Sequence, residues 1–351
     1  MRVAHVCMDR GVGPSRRKGA AVHLQAIRDS MRKLGAEVFD VDSPDADVVA
    51  ARLHELHRID PLDLVYERYS LGATTVSEFA EGMGIAHVLE VNAPLQAEAS
   101  RYRGSEEGDV ASSPERAVLG KAKLVVAVSS KVAEFAIDSG APSENVVIEP
   151  NGVDPEMFNP GRAQELGAEA PVPAGRFTLG VHGRLRPWHN LEMLGRVAAR
   201  LLDEDCDVHV LTIGKGDYAE TLGALLPEER FTHLSWVPHP DVGRYVACFD
   251  ALPLTYAPAD DYFSPLKLRE AMASGAVPVV PDVGDLAQDV GEAGIIYEPG
   301  SESELQEALR GLIQDPGHCS HLSVLAQRQA EGSDWLSIAR RTLERALAVT
   351  L

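Results

Sequence analysis

Cysteine is scarce and scattered. Cys7, Cys206, Cys248 and Cys319 form no Cys-x-x-Cys pair, so neither a zinc framework nor a disulfide scaffold is expected, and reduced thiols of a cytoplasmic protein fit the pattern. Positive charge is short as well, with 33 Lys and Arg against 53 Asp and Glu and a net charge of −20. A nucleic-acid binder needs a basic footprint that displaces counterions, so no nucleic-acid partner is expected. The excess acid serves solubility instead. No run approaches the roughly 18 apolar residues of a membrane span. The segment from Met1 to Cys7 is too short for a signal-peptide core and reads as a first strand. Familiar catalytic signatures are missing too: no Gly-x-Ser-x-Gly elbow, no His-Glu-x-x-His, no Cys–His nucleophile set. His54, His57, His233 and His318 show no metal-ligand spacing.

What remains is an ordinary globular composition, 351 residues with 45% hydrophobic and 25% charged. That length predicts about two domains. Short apolar runs alternate with amphipathic stretches: Val3–Cys7, then a helix over Ala20–Leu34 with Leu24, Ile27, Met31 and Leu34 on one face. Val38–Val41, Leu62–Tyr66, His87–Val91, Lys123–Val128 and Asn145–Ile148 continue the strand series, and Ser129 or Ser130 offers a helix N-cap. Pro160–Gly175, rich in Pro, Gly and Ala, reads as a linker. Beyond it, Phe177–Val181, Val208–Ile213, Phe249–Leu254 and Val277–Val280 are strand candidates. Helices are expected near Leu191–Leu202, Leu266–Ala273 and Glu302–Ile313. Run-like strands alternating with helices predict α/β architecture, two doubly wound Rossmann-like domains over residues 1–165 and 173–334 that face a cleft.

Three places could carry chemistry. Residues 1–35 hold eight Lys or Arg against two Asp, a local charge of +6 in an acidic chain. Within them, Gly11-Val12-Gly13-Pro14-Ser15-Arg16-Arg17-Lys18-Gly19 joins the first strand to the first helix. It is either an anion-contacting loop or a solvated one; it has neither Walker nor dinucleotide spacing. Second, Arg184 and His189 follow the strand Phe177–Val181. Arg184 is either a fixed cationic fork for a diphosphate or a solvated surface side chain. Third, Ser264 is expected as N-cap and Pro265 as first helical residue of a helix carrying Lys267 and Glu270. Its free N–H groups with Lys267 would receive an anion, and Glu270 could accept from a ribose diol; the alternative is a well-capped helix with exposed charges. Asp45-Ala46-Asp47 looks like an Asp-x-Asp metal motif but opens a helix, where acids favour the dipole, so no metal is expected there.

The chain resembles the retaining glycosyltransferases of family 4, group 1 type, which have the GT-B fold. The resemblance rests on Lys18-Gly19-Ala20-Ala21-Val22-His23, Tyr66-Glu67-Arg68-Tyr69-Ser70, Leu89-Glu90-Val91-Asn92-Ala93-Pro94 and Pro150-Asn151-Gly152-Val153-Asp154. Pro187-Trp188-His189 and the run Ser264-Pro265-Leu266-Lys267-Leu268-Arg269-Glu270-Ala271-Met272-Ala273 extend it, so that it covers nearly the whole length. It implies a UDP- or GDP-sugar donor held by the second domain and a small, anionic or neutral acceptor held mainly by the first. Donor contacts would come from Gly13, Arg184, His189, Val237, Pro238, Ser264, Pro265, Lys267, Leu268 and Glu270. Arg16, Lys18, Glu67, Arg68 and Asn92 would face the acceptor, and Arg184, Lys267 and Asn92 would stand nearest the reaction. A last helix, residues 335–351, would cross back to the first domain. Neither cofactor nor metal is implied; weak membrane association and oligomeric state stay open.

Three departures from the family pattern matter. The usual pair of glutamates separated by seven residues becomes Tyr262 and Glu270, so the sugar is not readable. His189 stands where a Lys often does. Asn92 stands where many members carry His, and an amide cannot act as a general base. Two alternatives therefore accompany the glycosyltransferase reading: a nucleotide-sugar epimerase or pseudo-glycosyltransferase of the same fold, and a non-catalytic nucleotide-sugar binding protein.

Overall fold

The computed structural model describes residues 1–9, 12, 19–95, 113–216, 218–258 and 262–348. The chain divides into two compact units, Met1–Asn151 together with the segment from Trp335 onward, and Gly152–Asp334.

The first unit is built from β1 (Arg2–Cys7), α1 (Gly19–Lys33), β2 (Glu37–Asp42), α2 (Ala46–Ile59), β3 (Leu64–Arg68), α3 (Thr75–Met83), β4 (Ala86–Val91), α4 (Ser113–Lys121), β5 (Leu124–Ala127), α5 (Ser130–Asp138) and β6 (Val146–Ile148). Its sheet is fully parallel in the order β2-β1-β3-β4-β5-β6. β3, β4 and β5 are buried along their whole length, as strands covered on both faces must be. Asp45 caps α2, its carboxylate accepting from the N–H groups of Asp47 and Val48. Ser129 caps α5 through the N–H of Val132. The helix Trp335–Ala348 lies in this unit, where Arg341 and Arg345 both pair at 2.8 Å with Glu149, buried just after β6. Strand order reverses between β1 and β3, which makes the carboxyl ends of those strands the expected ligand end.

The second unit contains β7 (Phe177–His182), α6 (Leu191–Asp203), β8 (Val208–Ile213), α7 (Tyr218–Leu225), β9 (Phe231–Leu234), α8 (Val242–Val246), β10 (Ala251–Pro253), α9 (Leu266–Ala273), β11 (Val277–Pro281), α10 (Leu286–Val290), β12 (Ile295–Tyr297), α11 (Glu302–Gln314) and α12 (Pro316–Ala330). Its parallel sheet runs β12-β11-β10-β7-β8-β9, the Rossmann order, with its reversal between β7 and β10. Period-two alternation splits the core: Leu179, Val181 and Val210 face Leu194, Val197 and Leu201 of α6, while Leu211 and Ile213 face Leu252, Met272 and Val280. Gly180 must be glycine, because a Cβ there would lie 2.0 Å from the Phe249 ring.

Several expectations need correction. Pro160–Gly175 is no free linker, since Pro160–Glu169 forms helical turns within the second unit. Burial of Leu166, and the Arg244 guanidinium on the Glu165 carbonyl at 2.8 Å, fasten it to α8. The strand expected at Phe249–Leu254 shrinks to Ala251–Pro253, with Phe249 spent on packing under Gly180. β9 and β12 were not anticipated; they are four and three residues long and only partly buried.

Candidate active site

At the carboxyl end of the second sheet, three loops are laced by backbone hydrogen bonds. The Gly183 N–H reaches the Ile213 carbonyl at 2.9 Å, Leu185 reaches Lys215 at 2.9 Å, and Gly214 reaches Leu234 at 2.8 Å. Glycine makes this approach possible. Gly183 has φ +92°, Gly214 has φ +124°, and a Cβ on Gly214 would lie 2.0 Å from the Gly183 carbonyl oxygen. Arg184 projects from this lattice exposed, with no hydrogen bond or ion pair to the described residues. Lys215, on the glycine-flanked loop after β8, is exposed too. Sequence reading passed over Lys215, although a Gly-Lys-Gly following a strand was the available signal.

The α9 terminus differs from the sequence expectation. Pro265, not Ser264, occupies the N-cap position, because its extended conformation (ψ 119°) keeps it outside the helix. Proline brings no side-chain cap of its own, and the Pro265 carbonyl takes the N–H of Leu268 at 3.0 Å. The N–H groups of Leu266 and Lys267 in the first turn thus receive no cap from Pro265, and first-turn N–H groups are what receives anions at helix N-termini. Leu268 points into the core and its N–H is spent, so it offers nothing to a ligand. On its inner side α9 is anchored by the buried pair of Arg269 with Asp289 at 2.5 Å.

Lys267 lies half-buried, its Cε 3.9 Å from where a Gly183 Cβ would be, and its Nζ is 3.0 Å from Nε2 of His189. Burial pulls the Lys267 ammonium down to about 7, against an opposing pull from Glu270. His189 is buried and doubly anchored: its Nδ1 accepts the Arg186 N–H at 3.0 Å, and its carbonyl accepts from the Thr255 hydroxyl beyond β10. Burial, with Lys267 and Arg186 nearby, holds the imidazole far below its ordinary value, hence neutral. Glu270, one turn after Lys267, meets Nε2 of the buried His182 at 2.7 Å. Val237 is half-buried and Pro238 exposed in the loop that follows β9, beside Trp236, which is 54% exposed. Rings of Trp188, Phe263, Tyr256 and Tyr262 cluster alongside, with Tyr262 buried and 4.2 Å from Phe263 between ring centres.

In the first unit, alternation along β3 and β4 sorts the expected residues. Tyr66, Arg68, Glu90 and Asn92 share a face, and α1 adds His23 to it. Glu90 is the hub: Arg68 Nη1 lies 3.0 Å away, the Tyr66 hydroxyl 2.6 Å, and His23 Nε2 2.9 Å. Burial raises the Glu90 carboxyl, but His23, Arg68 and Tyr66 more than reverse this and hold it well below the usual range. Asn92 is half-buried, with its amide committed to Glu90 and its oxygen accepting from Arg68 at 2.7 Å. Glu67, expected with them, points to the opposite face because it is one residue out of phase. There it pairs with the buried His87 at 2.9 Å. Gly13, Arg16 and Lys18 lie outside the described residues. His23, Tyr66, Glu90 and His182 were missed as site residues; even spacing of Tyr66 with Arg68 and of Glu90 with Asn92 was the signal.

Two parallel six-stranded Rossmann-like units, the second with an open cationic helix terminus, define a GT-B protein. Its solved relatives agree. Anabaena HepE in complex with UDP and glucose is 20% identical, with TM-score 0.73 over 99% of this chain and 100% of that one. Sucrose-phosphate synthase from Thermosynechococcus elongatus is 15% identical, with TM-score 0.76 over 99% of both. Residues 176–315 match the family model of glycosyl transferases group 1. A D-inositol 3-phosphate glycosyltransferase of Arthrobacter sp. (strain FB24) is 24% identical over 93% of this chain and 80% of its own length. Sulfoquinovosyl transferase SQD2 of Arabidopsis thaliana is 29% identical over 61% of this chain and 42% of its own. These similarities support a glycosyltransferase of group 1 type, with the family match lying in the second unit. No helix among the described residues is long and apolar enough to cross a membrane.

Proposed function

We propose that this glycosyltransferase takes a UDP- or GDP-sugar as donor in its second unit and transfers the sugar, with retention, to a small polar or anionic acceptor held mainly by its first. The observation that carries the donor assignment is the carboxyl end of the second sheet: the N-terminus of α9, Lys267 beside it, exposed Arg184, and Glu270 one turn further on. A diphosphate suits the first three and a ribose diol suits the carboxylate. In the reaction the bond from the anomeric carbon to the diphosphate oxygen breaks as the acceptor oxygen bonds to that carbon. Negative charge grows on the leaving diphosphate, where Arg184, Lys267 and the helix terminus stabilise it. The leaving phosphate takes the acceptor's proton, so Asn92 need only orient a hydroxyl. No resident metal is invoked: Asp45 is spent as a cap, and among the described residues no three His, Cys, Asp or Glu side chains gather as ligands.

Charge in residues 1–35, and the names of relatives that act on D-inositol 3-phosphate, make a phosphorylated polyol the first acceptor to try. The test is incubation with a panel of nucleotide sugars and acceptors, with the new linkage read by NMR. A product of the donor's own anomeric configuration supports the reading. Donor binding with no product returns the binding-protein alternative, and interconversion of the free nucleotide sugar returns the epimerase.

A further inference from the structure

Each neutral imidazole has one N–H and one bare nitrogen. In His189 the bare nitrogen is assigned by a group whose proton is fixed, because the backbone N–H of Arg186 points at Nδ1 at 3.0 Å. Nε2 therefore carries the hydrogen, and it faces Nζ of Lys267 at 3.0 Å. An ammonium has three donors and no acceptor, so against an N–H it makes no hydrogen bond; a neutral amine has the lone pair that completes one. We propose that Lys267 is held as a neutral amine, accepting from His189, while the donor site is empty, and that it takes up a proton when a diphosphate arrives. His189 thereby acts as a positioning residue that sets the charge of the phosphate-facing lysine. The diphosphate half of this proposal rests on the donor assignment above; the neutral amine does not.

The surroundings agree. Burial draws the Lys267 ammonium down to about 7. Glu270 on the same helix pulls the other way, but its Oε2 is already engaged by His182. Burial above all keeps His189 neutral, and Arg186, just ahead of the turn Pro187–His189, adds a smaller repulsion. Beyond β10, the Thr255 hydroxyl donates to the His189 carbonyl and the Tyr256 ring lies tilted against His189 at 5.5 Å between centres, so neither brings a negative charge. Incoming diphosphate supplies that charge, and the new ammonium then turns its protons to the phosphate oxygens. An empty site of this kind withholds one of its cations until the diphosphate arrives, while the loaded site adds that charge to Arg184 when the leaving group needs it.

Trace acylation of the free protein with acetic anhydride across pH, read peptide by peptide by mass spectrometry, tests the first half. Only a neutral amine reacts. Lys267 should reach half of its plateau near pH 7, whereas exposed Lys121, raised by its pair with Glu81, should do so several pH units higher, and His189→Gln, which offers an acceptor oxygen, should move Lys267 toward it. An identical profile for Lys267 and Lys121 overturns the proposal, as does an Nδ1–H tautomer for His189 in nitrogen NMR of the unsubstituted protein. Calorimetry of UDP binding at pH 8 in two buffers of different ionisation enthalpy tests the second half. Uptake approaching one proton per UDP is expected, and it should vanish in Lys267→Arg. Binding without uptake overturns the proton linkage alone; no binding of UDP or GDP overturns the donor assignment and leaves the acylation result to stand or fall by itself.

Discussion

His182 Nε2 and Glu270 Oε2 lie 2.7 Å apart at the carboxyl end of the second sheet. The contact ties the last residue of β7 to the second turn of α9, across the point where strand order reverses. A carboxylate has about four lone-pair sites, so one bond from His182 leaves room for two from a ribose. His182→Phe keeps the ring and removes this hold. It should raise donor KM severalfold with little change in kcat, because a ribose contact is the same in ground and transition states. An equal fall in kcat would place His182 nearer the chemistry than the geometry does.

Glu270→Gln keeps the size but loses the charge. Nucleoside diphosphate binding should weaken by roughly 1.5–3 kcal/mol, the scale of hydrogen bonds to a charged group. A 2′,3′-dideoxy nucleotide should bind the parent protein less well yet lose little more in the variant, since one contact cannot be removed twice. Additive losses, measured by calorimetry, would mean that Glu270 does not touch the ribose.

Lys267→Ala should lower both kcat and donor affinity, because charge on the diphosphate grows as the bond breaks. Transfer should meanwhile persist in excess chelator. Loss of turnover on chelation, restored by Mg²⁺ or Mn²⁺, would show that protein cations are not the stabilising charge.

Gly214→Ala tests the loop lattice. Its φ of +124° and the 2.0 Å approach of a new Cβ to backbone at Gly183 leave no flexible side chain to yield. The β7 loop that carries Arg184 must move. A loss of roughly 1–3 kcal/mol in stability is expected, together with a larger fall in donor binding than a comparable core substitution produces. Unchanged donor affinity would separate this lattice from the site.

Much of this was legible in the sequence. Run-like strands such as Leu124–Ala127 announce a parallel sheet, because burial on both faces favours apolar residues at successive positions. Lys267 and Glu270 were legible because three residues of helix bring them to one side. What failed was long-range or local in a way that composition does not encode. Pro160–Glu169 looks like a linker by Pro and Gly content, yet Arg244 and the burial of Leu166 fix it. Glu67 and Arg68 are neighbours in sequence and opposites in space, a matter of strand phase. The His189 tautomer depends on one backbone N–H that no pattern of residue types reveals.

Glu90 supports the sharpest stability prediction, since it is buried with four side-chain partners and its carboxyl is held well below the usual range. A group depressed in the folded state stabilises above its unfolded value, ordinarily about 4.3, and that contribution drains away as pH falls toward the folded value. Glu90→Gln removes the charge and leaves Arg68 and His23 buried without it, a loss of about 3–5 kcal/mol at neutral pH by the general cost of breaking a buried pair. The parent's advantage should therefore be full at pH 6–7 and shrink steadily below about pH 4.5. Trp335 sits edge-on to His23 at 4.8 Å between ring centres, so its fluorescence reports on this unit. With Trp188 and Trp236 replaced by Phe, urea unfolding followed through Trp335 alone gives the difference at each pH. A difference that stays constant from pH 7 to pH 3.5 would mean that Glu90 is not the ionised hub of the first unit, and the network of Arg68 and Asn92 would lose its organising charge.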